Sequence, residues 1–339
     1  MRILRHPAST PADLRGAVMA LGNFDGVHRG HQSVIALAQA IAKAEGTLSG
    51  VVTFEPHPRS FFGGDTSPFR LTPFRQKARL LAGLGLDLMV NLTFGPMIAG
   101  RLAQEFVSED LLDGLGVRHV VTGPGFVFGK GRRGNGQVLA RMAEREGFGY
   151  TESPIFHHDD KKVSSTEVRV LLRRGQVGAA ARLMGHPWEY EARVQSGHQR
   201  GREMGFPTAN QALDGTLHPG PGIYAVRAGI VEGMTTTWHD GAAYIGTRPT
   251  FQGETVLLET NLFDFSGNLY GKRLRVAMFE RVRKDMTFRG MEALATQMGE
   301  DCAKARDVLA GLRDRSAESC GRMADAGASL HLDIPSPRC

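Results

Sequence analysis

A change in the pattern of apolar residues near 184–188 constrains the fold of this chain more than any other feature. Before it, short apolar runs that are typical of buried strands alternate with longer stretches of helical spacing. This alternation predicts an α/β fold, a doubly wound parallel sheet of the Rossmann-like kind, with ligands bound beyond the carboxyl ends of the strands. After Gly185-His-Pro-Trp188, short β-rich runs separated by Gly and Pro predict an antiparallel β-barrel, followed by a C-terminal helix near 290–312.

The same patterns predict the individual elements. In the first half the predicted strands cover 17–21, 49–54, 86–92, 117–122 and 150–156. The predicted helices cover 30–44, 73–84, 101–114, 137–146, 165–174 and 176–184. We therefore expect a first domain over 1–184, a second over 187–313 and a disordered tail over 314–339, since the tail is rich in small and polar residues.

Length and composition exclude several classes of protein. The chain has 339 residues, which fits two domains. No apolar run approaches the roughly 18 residues that a membrane span needs, and the N-terminus lacks the apolar segment of a secretory signal, so we expect a cytoplasmic protein. The three cysteines, at 302, 320 and 339, form no C-x-x-C pair, which excludes a disulfide framework and a thiolate zinc site.

The net charge of +6 is unevenly distributed along the chain. Residues 1–183 hold 23 Lys and Arg against 16 Asp and Glu, and the remaining residues are close to neutral. Two interpretations follow from this excess: binding of nucleic acid, or binding of small polyanions such as nucleotides. No basic run is interleaved with aromatic residues, so charge alone does not favour nucleic acid, and a merely solvated basic surface is also possible.

A glycine-flanked histidine pair follows the first long predicted strand. The segment Leu21-Gly-Asn-Phe-Asp-Gly-Val-His-Arg-Gly-His31 lies where the strand ends and a helix begins. A nucleotide phosphate binds well at such a place, because glycines admit the backbone and the helix N-terminus favours an anion. His28 and His31 can donate hydrogen bonds to phosphate oxygens from one face of the helix start. The alternatives are ordinary surface polarity or a fragment of a metal site.

A second candidate segment is Lys161-Lys-Val-Ser-Ser-Thr-Glu-Val-Arg169, which also lies at a predicted helix start. Ser164 or Ser165 can cap that helix. The alternative interpretation of this segment is an ordinary capped helix with basic side chains. Together, the two segments resemble the nucleotidyltransferase superfamily, whose plan class I aminoacyl-tRNA synthetases share. In that superfamily the histidine motif and a later Ser- and Lys-rich loop hold the triphosphate of ATP.

The second half contains two weaker signals. A basic loop punctuated by glycines, 197–205, leads into Pro207-Thr-Ala-Asn210. In an extended segment Thr208 and Asn210 point to the same side, and such neutral oxygens suit Mg²⁺, although a plain turn is the alternative. Glu259 lies within the apolar run 256–265, where it is either a general base or a solvent-facing strand residue.

Taken together, these motifs resemble the bifunctional prokaryotic riboflavin kinase/FMN adenylyltransferase (FAD synthetase) family over residues 15–310. They stand in family order: GNFDGVHRGH, TFEPHP, FGKGRRG, SSTEVR, RGREMGFPTAN, GIYAV, IGTRPTF, LYG and VRKDMTF, with the E-x-x-L-x-D-F segment at Glu259. The resemblance implies a nucleotidyltransferase domain over 1–184 that makes FAD from FMN and ATP, and a riboflavin kinase barrel over 187–313 that makes FMN from riboflavin and ATP.

The resemblance also implies roles for individual residues. Glu259 is the catalytic base of the kinase, and His28 and His31 are the catalytic residues of the adenylyltransferase. Thr208 and Asn210 hold Mg²⁺. The ATP-binding residues are Gly22, Asn23, Phe24, Asp25, His28, His31, Ser165, Thr166, Arg169, Gly201 and Arg202. The flavin-binding residues are Phe126, Phe128 and Arg283. We expect small-molecule substrates only, with no nucleic acid or membrane partner.

One departure from the family pattern bears on activity. The family usually has Asp or Asn before the F-x-F-G segment, where this chain has Gly125. Tyr244 and Asn261 also differ from the residues commonly seen. The missing side chain opens a second hypothesis, a riboflavin kinase with an impaired first domain. A hypothesis from another class is an RNA-binding or tRNA-related protein, based on the histidine motif and the basic first half.

Overall fold

The computed structural model describes residues 1–63, 68–196, 204–213, 215–233, 235–250 and 253–323; for 248–250, 253–255 and 314–323 it describes only the backbone. The chain forms two compact units. Unit 1 comprises Met1–Ser67 and Pro73–Ser164, and unit 2 comprises Pro68–Thr72 and Ser165–Cys339.

Unit 1 is built on a parallel six-stranded sheet. In chain order its strands are β1 (Arg2–Leu4), β2 (Val18–Leu21), β3 (Ser49–Glu55), β4 (Leu88–Thr93), β5 (His119–Thr122) and β8 (Gly149–Glu152). Strands β6 (Val127–Phe128) and β7 (Gly134–Asn135) form a separate short antiparallel pair between β5 and β8. Their order across the sheet is β1-β4-β3-β2-β5-β8. All neighbouring strands run parallel, and β2 lies near the centre with every residue buried.

Helices connect these strands, as parallel pairing requires. They are α1 (Arg29–Ala44), α2 (Pro58–Phe62), α3 (Phe74–Gly83), α4 (Pro96–Gly100), α5 (Ala103–Glu105) and α6 (Gly136–Glu146). The helix predicted over 101–114 is α-helical only in α5 and continues as a π-helical segment, Phe106–Gly114. Short 3-10 turns lie at Pro7–Ser9, Ala12–Leu14 and Lys130–Arg132. A charged hairpin, β9 (His157–His158) and β10 (Lys161–Lys162), ends the unit.

After the segment Pro68–Thr72, unit 2 continues with α7 (Ser165–Arg173) and α8 (Val177–Met184). Its strands are β11 (Trp188–Arg193), β12 (Ala209–Ala212), β13 (Gly222–Glu232), β14 (Thr235–Thr250), β15 (Gly253–Leu262) and β16 (Arg273–Lys284). They form a curled antiparallel sheet in the order β11-β16-β13-β14-β15-β12, and the two edges approach at a bridge between Gln195 and Asn210. The predicted fold class, a parallel α/β sheet followed by an antiparallel β-barrel and a C-terminal helix, is confirmed, with the barrel formed by this curled six-stranded sheet.

The C-terminal helix, α9 (Met291–Met323), packs on the outside of this sheet. Ala305 and Leu309 bury their side chains against β13 and β14. Arg306 forms a bidentate ion pair with Asp264, at 2.8 and 2.9 Å, and this hydrogen bonding holds the pKa of Asp264 below its usual range. The helix extends beyond the predicted end at 312 and includes the first residues of the predicted tail; residues 324–339 lie outside the described part of the chain.

The core of unit 2 is assembled from distant parts of the chain. Leu71, from Pro68–Thr72, is fully buried in the same apolar cluster as Val168 and Leu172 of α7. The Leu217 N–H donates to the Arg70 carbonyl at 2.9 Å and thereby ties this segment to the second half. Helices α7 and α8 contribute to this core, although the sequence pattern placed them in the first domain. The predicted boundary between the two enzymatic domains, at 184–187, stays a prediction.

A buried tyrosine lies in the same core. Tyr224 on β13 is fully shielded from solvent, and its hydroxyl donates to the Gly220 carbonyl. Burial raises the pKa of Tyr224 from 10.0 to about 12, and the nearby Arg281 opposes this shift. The phenol is therefore protonated throughout the physiological range.

Candidate active sites

The turn between β2 and α1 holds the backbone in unusual conformations. Phe24 and Val27 have positive φ values of 48° and 38°, a region that costs non-glycine residues about 1–3 kcal/mol each. Both side chains are 1 % exposed, so packing holds the turn in place. Asp25 is also buried. A Cβ at Gly22 would lie 3.2 Å from the Phe24 ring, so a larger residue there would require the ring to shift.

His28 and His31 form a stacked pair at the start of α1. Their ring centroids lie 3.6 Å apart with an angle of 15° between the planes. His28 caps the helix, since its Nδ1 accepts a hydrogen bond from the His31 N–H at 3.2 Å. Gly30 permits this packing, because a Cβ there would lie 3.2 Å from the His28 ring. The structure thus brings together the two histidines at the N-terminal end of a 16-residue helix, where an anion is favoured.

The predicted residues of the Ser-Ser-Thr segment lie in unit 2. Helix α7 begins at Ser165, Thr166 is exposed, and Arg169 lies one turn further on. Arg169 Nε donates to the Phe69 carbonyl at 2.7 Å, and its guanidinium lies 5.6 Å from the centroid of the Phe69 ring. The segment Pro68–Thr72 therefore fixes the side chain of Arg169.

Phe126 and Phe128 stack on each other at the carboxyl end of the parallel sheet. Their ring centroids lie 5.7 Å apart at 17°, and Phe128 is buried against Phe106, 5.6 Å away. Gly125 precedes them with φ +71° and is exposed; a Cβ there would meet nothing within 4 Å. Space for a side chain therefore exists at the position where the family usually has Asp or Asn.

Sequence reasoning missed two groups at this end of the sheet. The rings of Phe61 and Phe62 on α2 are 40 % and 69 % exposed and contact Phe94 edge-on, which extends the aromatic surface. The signal was the Phe-Phe pair that follows the TFEPHP motif after two intervening residues. The hydroxyl of Tyr150 lies 3.0 Å from Thr122 Oγ1 and 3.3 Å from Glu152 Oε2, and burial raises the pKa of Tyr150.

In unit 2 the kinase candidates share one face of the sheet. Asn210 on β12 lies directly opposite Glu259 on β15, and Thr208 precedes Asn210 by two residues, so these side chains project to the same side. All three are half-buried. Glu259 is also the cross-strand partner of Tyr244 on β14.

A cavity of about 670 Å³ adjoins this face. Thr208, Asn210, Thr260, Phe265 and Tyr270 are among its lining residues. Glu259 does not line the cavity, although its cross-strand partner does. The cavity combines aromatic surface with a few neutral oxygen atoms, as small-molecule sites usually do.

Hydrogen bonds orient the residues at this cavity. Asn210 Nδ2 donates to the Thr208 carbonyl at 3.4 Å, so the oxygen Oδ1 is the atom of Asn210 that suits a metal ion. Asn261 Nδ2 donates to the Pro207 carbonyl at 2.8 Å and ties the segment before β12 to β15. The departure from the family pattern at Asn261 thus has a structural role.

Of the remaining predicted residues, one is engaged in an ion pair within the protein, and two lie outside the described part of the chain. Arg283 makes a bidentate ion pair with the buried carboxylate of Asp301 on α9, at 2.7 to 3.0 Å, and its guanidinium lies 5.5 Å from the Phe288 ring. Its role in flavin binding stays a prediction. Gly201 and Arg202 lie outside the described residues.

Comparison with known proteins extends these observations. A family model of FAD synthetase matches residues 10–167, and a model of riboflavin kinase matches residues 184–309. The bifunctional riboflavin kinase/FMN adenylyltransferase of Pseudomonas fluorescens is 39 % identical over 311 residues, which cover 91 % of this chain and 98 % of the relative. Its counterpart in Escherichia coli (strain K12) is 36 % identical, with 88 % and 94 % coverage. The counterpart in Bacillus subtilis (strain 168) is 35 % identical with the same coverage.

A solved structure shows the same fold. A crystal structure described as a macrolide-efflux protein from Streptococcus pneumoniae matches with a TM-score of 0.79 and 27 % identity, covering 88 % of this chain and 96 % of that one. Within the ranges that the structure describes, no helix has the length and hydropathy needed to cross a membrane.

Proposed function

Since the chain belongs to the bifunctional riboflavin kinase/FMN adenylyltransferase family, we propose that it phosphorylates riboflavin to FMN with one ATP and adenylylates FMN to FAD with a second ATP, releasing pyrophosphate. Both family models match, and relatives over about nine-tenths of the chain carry both activities in their names. These matches support the bifunctional hypothesis over the kinase-only and RNA-related ones. Macrolide efflux, named for one structural relative, has no counterpart in either family model.

The pairing of Asn210 with Glu259 is the observation that carries the kinase assignment. Glu259 would take the proton from the 5′-hydroxyl of riboflavin as that oxygen attacks the γ-phosphorus of ATP and ADP leaves. Because Glu259 lies on the same face of the sheet as Thr208 and Asn210, its carboxylate would lie beside the ATP phosphates when these two residues bind them. Positioning and charge neutralisation supply most of the catalysis in phosphoryl transfer.

The residues at this cavity fit Mg²⁺. No group of three His, Cys, Asp or Glu side chains suited to a metal occurs among the described residues, so a metal cage made of protein alone is not expected there. Mg²⁺ usually keeps several waters and binds through few protein oxygens plus substrate phosphates, which matches Thr208 and Asn210. When bound, it would neutralise charge on the ATP phosphates. Thr208 Oγ1 and Asn210 Oδ1 would hold it and thereby orient the γ-phosphate.

The adenylyltransferase assignment rests on the His28–His31 pair. A phosphate oxygen of FMN would attack the α-phosphorus of ATP, and pyrophosphate would leave without a covalent enzyme intermediate. The two imidazoles and the N-terminal N–H groups of α1 would stabilise the charge that develops on the phosphates. From the family resemblance we propose that Ser165, Thr166 and Arg169 also contact the triphosphate. Phe126 and Phe128 would contact the flavin ring.

One incubation tests the proposed function. The full chain is mixed with riboflavin, ATP and Mg²⁺, and riboflavin, FMN and FAD are separated over time. Successive appearance of FMN and FAD is expected. FMN without FAD would support the kinase-only hypothesis, and no flavin product would contradict both activities. Because both reactions consume ATP, a cytoplasmic location is part of the proposal.

A further inference from the structure

A lysine lies buried beneath the turn that carries the histidine pair. Lys77 on α3 is 1 % exposed, in the same buried stripe of that helix as Leu81. Lysine is almost never buried to this degree unless its amine has partners, because the charged group loses its hydration. The position therefore serves a purpose other than apolar packing.

The partners of Lys77 identify that purpose. Its Nζ donates to the carbonyl oxygen of Asn23 at 3.0 Å and lies 3.4 Å from Thr53 Oγ1. The Thr53 hydroxyl donates to the same carbonyl at 3.1 Å. One backbone oxygen thus accepts two hydrogen bonds, which matches its two lone pairs. The amide oxygen Oδ1 of Asn23 is buried without a hydrogen-bond partner among the described residues, so the carbonyl is the anchored atom of this residue.

Anchoring this carbonyl determines how the turn leaves β2. Because the peptide group is planar and trans, the N–H of Phe24 points away from Lys77. The next residue, Phe24, takes the left-handed conformation, and its ring lies 5.3 Å from the His31 ring in an edge-on contact. A short chain of contacts therefore runs from Lys77 through Asn23 and Phe24 to His31 and its stacked partner.

We propose that Lys77 is a positioning residue for adenylyl transfer, which acts through the Asn23 carbonyl on the turn that carries His28 and His31. Lys77 contacts the backbone of the turn, and the histidines contact the nucleotide. Loss of its amine lets the Asn23–Phe24 peptide rotate and misplaces the two imidazoles. The inference rests on the adenylyltransferase activity proposed above for these histidines.

The test uses the full chain and two reactions of the same protein. FMN adenylylation and riboflavin phosphorylation are measured with the ATP concentration varied, for wild type, Lys77→Met and Thr53→Val. Lys77→Met is expected to raise the KM for ATP in adenylylation by about ten- to a hundredfold, the value of one hydrogen bond from a charged donor. Thr53→Val removes the second hydrogen-bond donor to the Asn23 carbonyl and is expected to raise the same KM by a smaller factor. A general loss of folded protein lowers kcat and leaves KM unchanged, so KM distinguishes positioning from folding.

Lys43→Met is the matched control, because Lys43 is an exposed lysine in the last turn of α1. It is expected to leave both reactions unchanged, and none of the three substitutions is expected to change the KM for ATP in phosphorylation. A KM for adenylylation within twofold of wild type in Lys77→Met overturns the inference. If Lys77→Met abolishes adenylylation outright, Thr53→Val decides: a raised KM supports the inference and an unchanged KM overturns it. A wild type that cannot adenylylate FMN overturns the proposed function itself.

Discussion

Asn210 and Glu259 face each other directly across neighbouring antiparallel strands, although 48 residues separate them in the chain. Their side chains project to one face, where Asn210 also lines a cavity of about 670 Å³. The carboxylate proposed as the base and the amide proposed to hold Mg²⁺ are thereby held by hydrogen bonds of the sheet rather than by flexible loops. This geometry makes the kinase half of the proposed function the easier half to test by substitution.

Glu259→Gln should abolish FMN formation and leave adenylylation of supplied FMN intact. The amide keeps the size of the side chain but cannot accept the proton, and loss of a positioned base typically costs about 10²–10⁴ in rate. Both reactions are measured on the same preparation. Glu280→Gln, at an exposed position of β16, serves as the control for loss of a carboxylate charge in the same unit. Near-normal phosphorylation by Glu259→Gln would show that Glu259 is not the base.

His28→Ala combined with His31→Ala should have the opposite effect, so that FMN accumulates and FAD disappears. Each imidazole is proposed to stabilise developing phosphate charge, and removing one preorganised donor costs on the order of 10²–10³ in rate. Riboflavin phosphorylation provides the control within the same protein. Equal loss of both activities would indicate a folding defect or a shared site instead.

Gly125→Asn should speed adenylylation, which we expect to be slow relative to phosphorylation in the wild type. The backbone at Gly125 has φ +71° and open space around the missing Cβ, and Asn tolerates that conformation better than most residues. One hydrogen bond to a charged group is worth about 1.5–3 kcal/mol. Gly125→Asp should also speed this step, and Gly125→Ala, which adds only backbone strain, should not. A fast wild type with no gain in either polar variant would contradict the prediction.

Tyr224 should make the stability of unit 2 depend on pH in alkaline solution. Its pKa is about 12 in the folded state against 10.0 ordinarily, so the folded state retains a proton that the unfolded state loses. The contribution of Tyr224 to the free energy of unfolding is therefore constant below about pH 10 and falls between pH 10 and 12, by roughly 3 kcal/mol in total.

Denaturant unfolding at several pH values checks this prediction. Tyr224→Phe should be less stable than wild type at neutral pH, because the bond to Gly220 is lost, and should show a shallower decline above pH 10. Tyr270→Phe removes an exposed phenol and should follow the wild-type curve. Parallel curves for wild type and Tyr224→Phe would contradict the assignment.

Periodicity was sufficient for the fold class because buried strands and amphipathic helices leave strong local signals. It could not distinguish the π-helical Phe106–Gly114 from an α-helix, since both present an apolar stripe over nine residues. It also missed β1, whose three residues, Arg2–Leu4, are too short to show alternation. Pairing of β1 with β4 is a long-range event that the local sequence does not report.

The candidate sites were predictable where a motif occupies one turn, as at His28 and His31. They were less predictable where partners come from elsewhere in the chain. From the sequence, a lysine at position 77 is expected to be an exposed helix residue. Only the fold shows that its amine is buried and donates to the Asn23 carbonyl. Likewise, the ion pair of Arg283 with Asp301 depends on where α9 packs.

The segment Pro68–Thr72 has a consequence for how the protein is made. The chain leaves unit 1 after Ser67, places Leu71 in the core of unit 2 and returns to unit 1 at Pro73. During synthesis Leu71 emerges long before Val168 and the other residues of that core, so it has no complete core to enter until most of the protein has been translated. A gene split between Ser164 and Ser165 would leave Leu71 on the wrong polypeptide. A segment that lies within the sequence of unit 1 therefore completes the core of unit 2. Separating the two units would require replacing that part of the core as well as cutting the chain between Ser164 and Ser165.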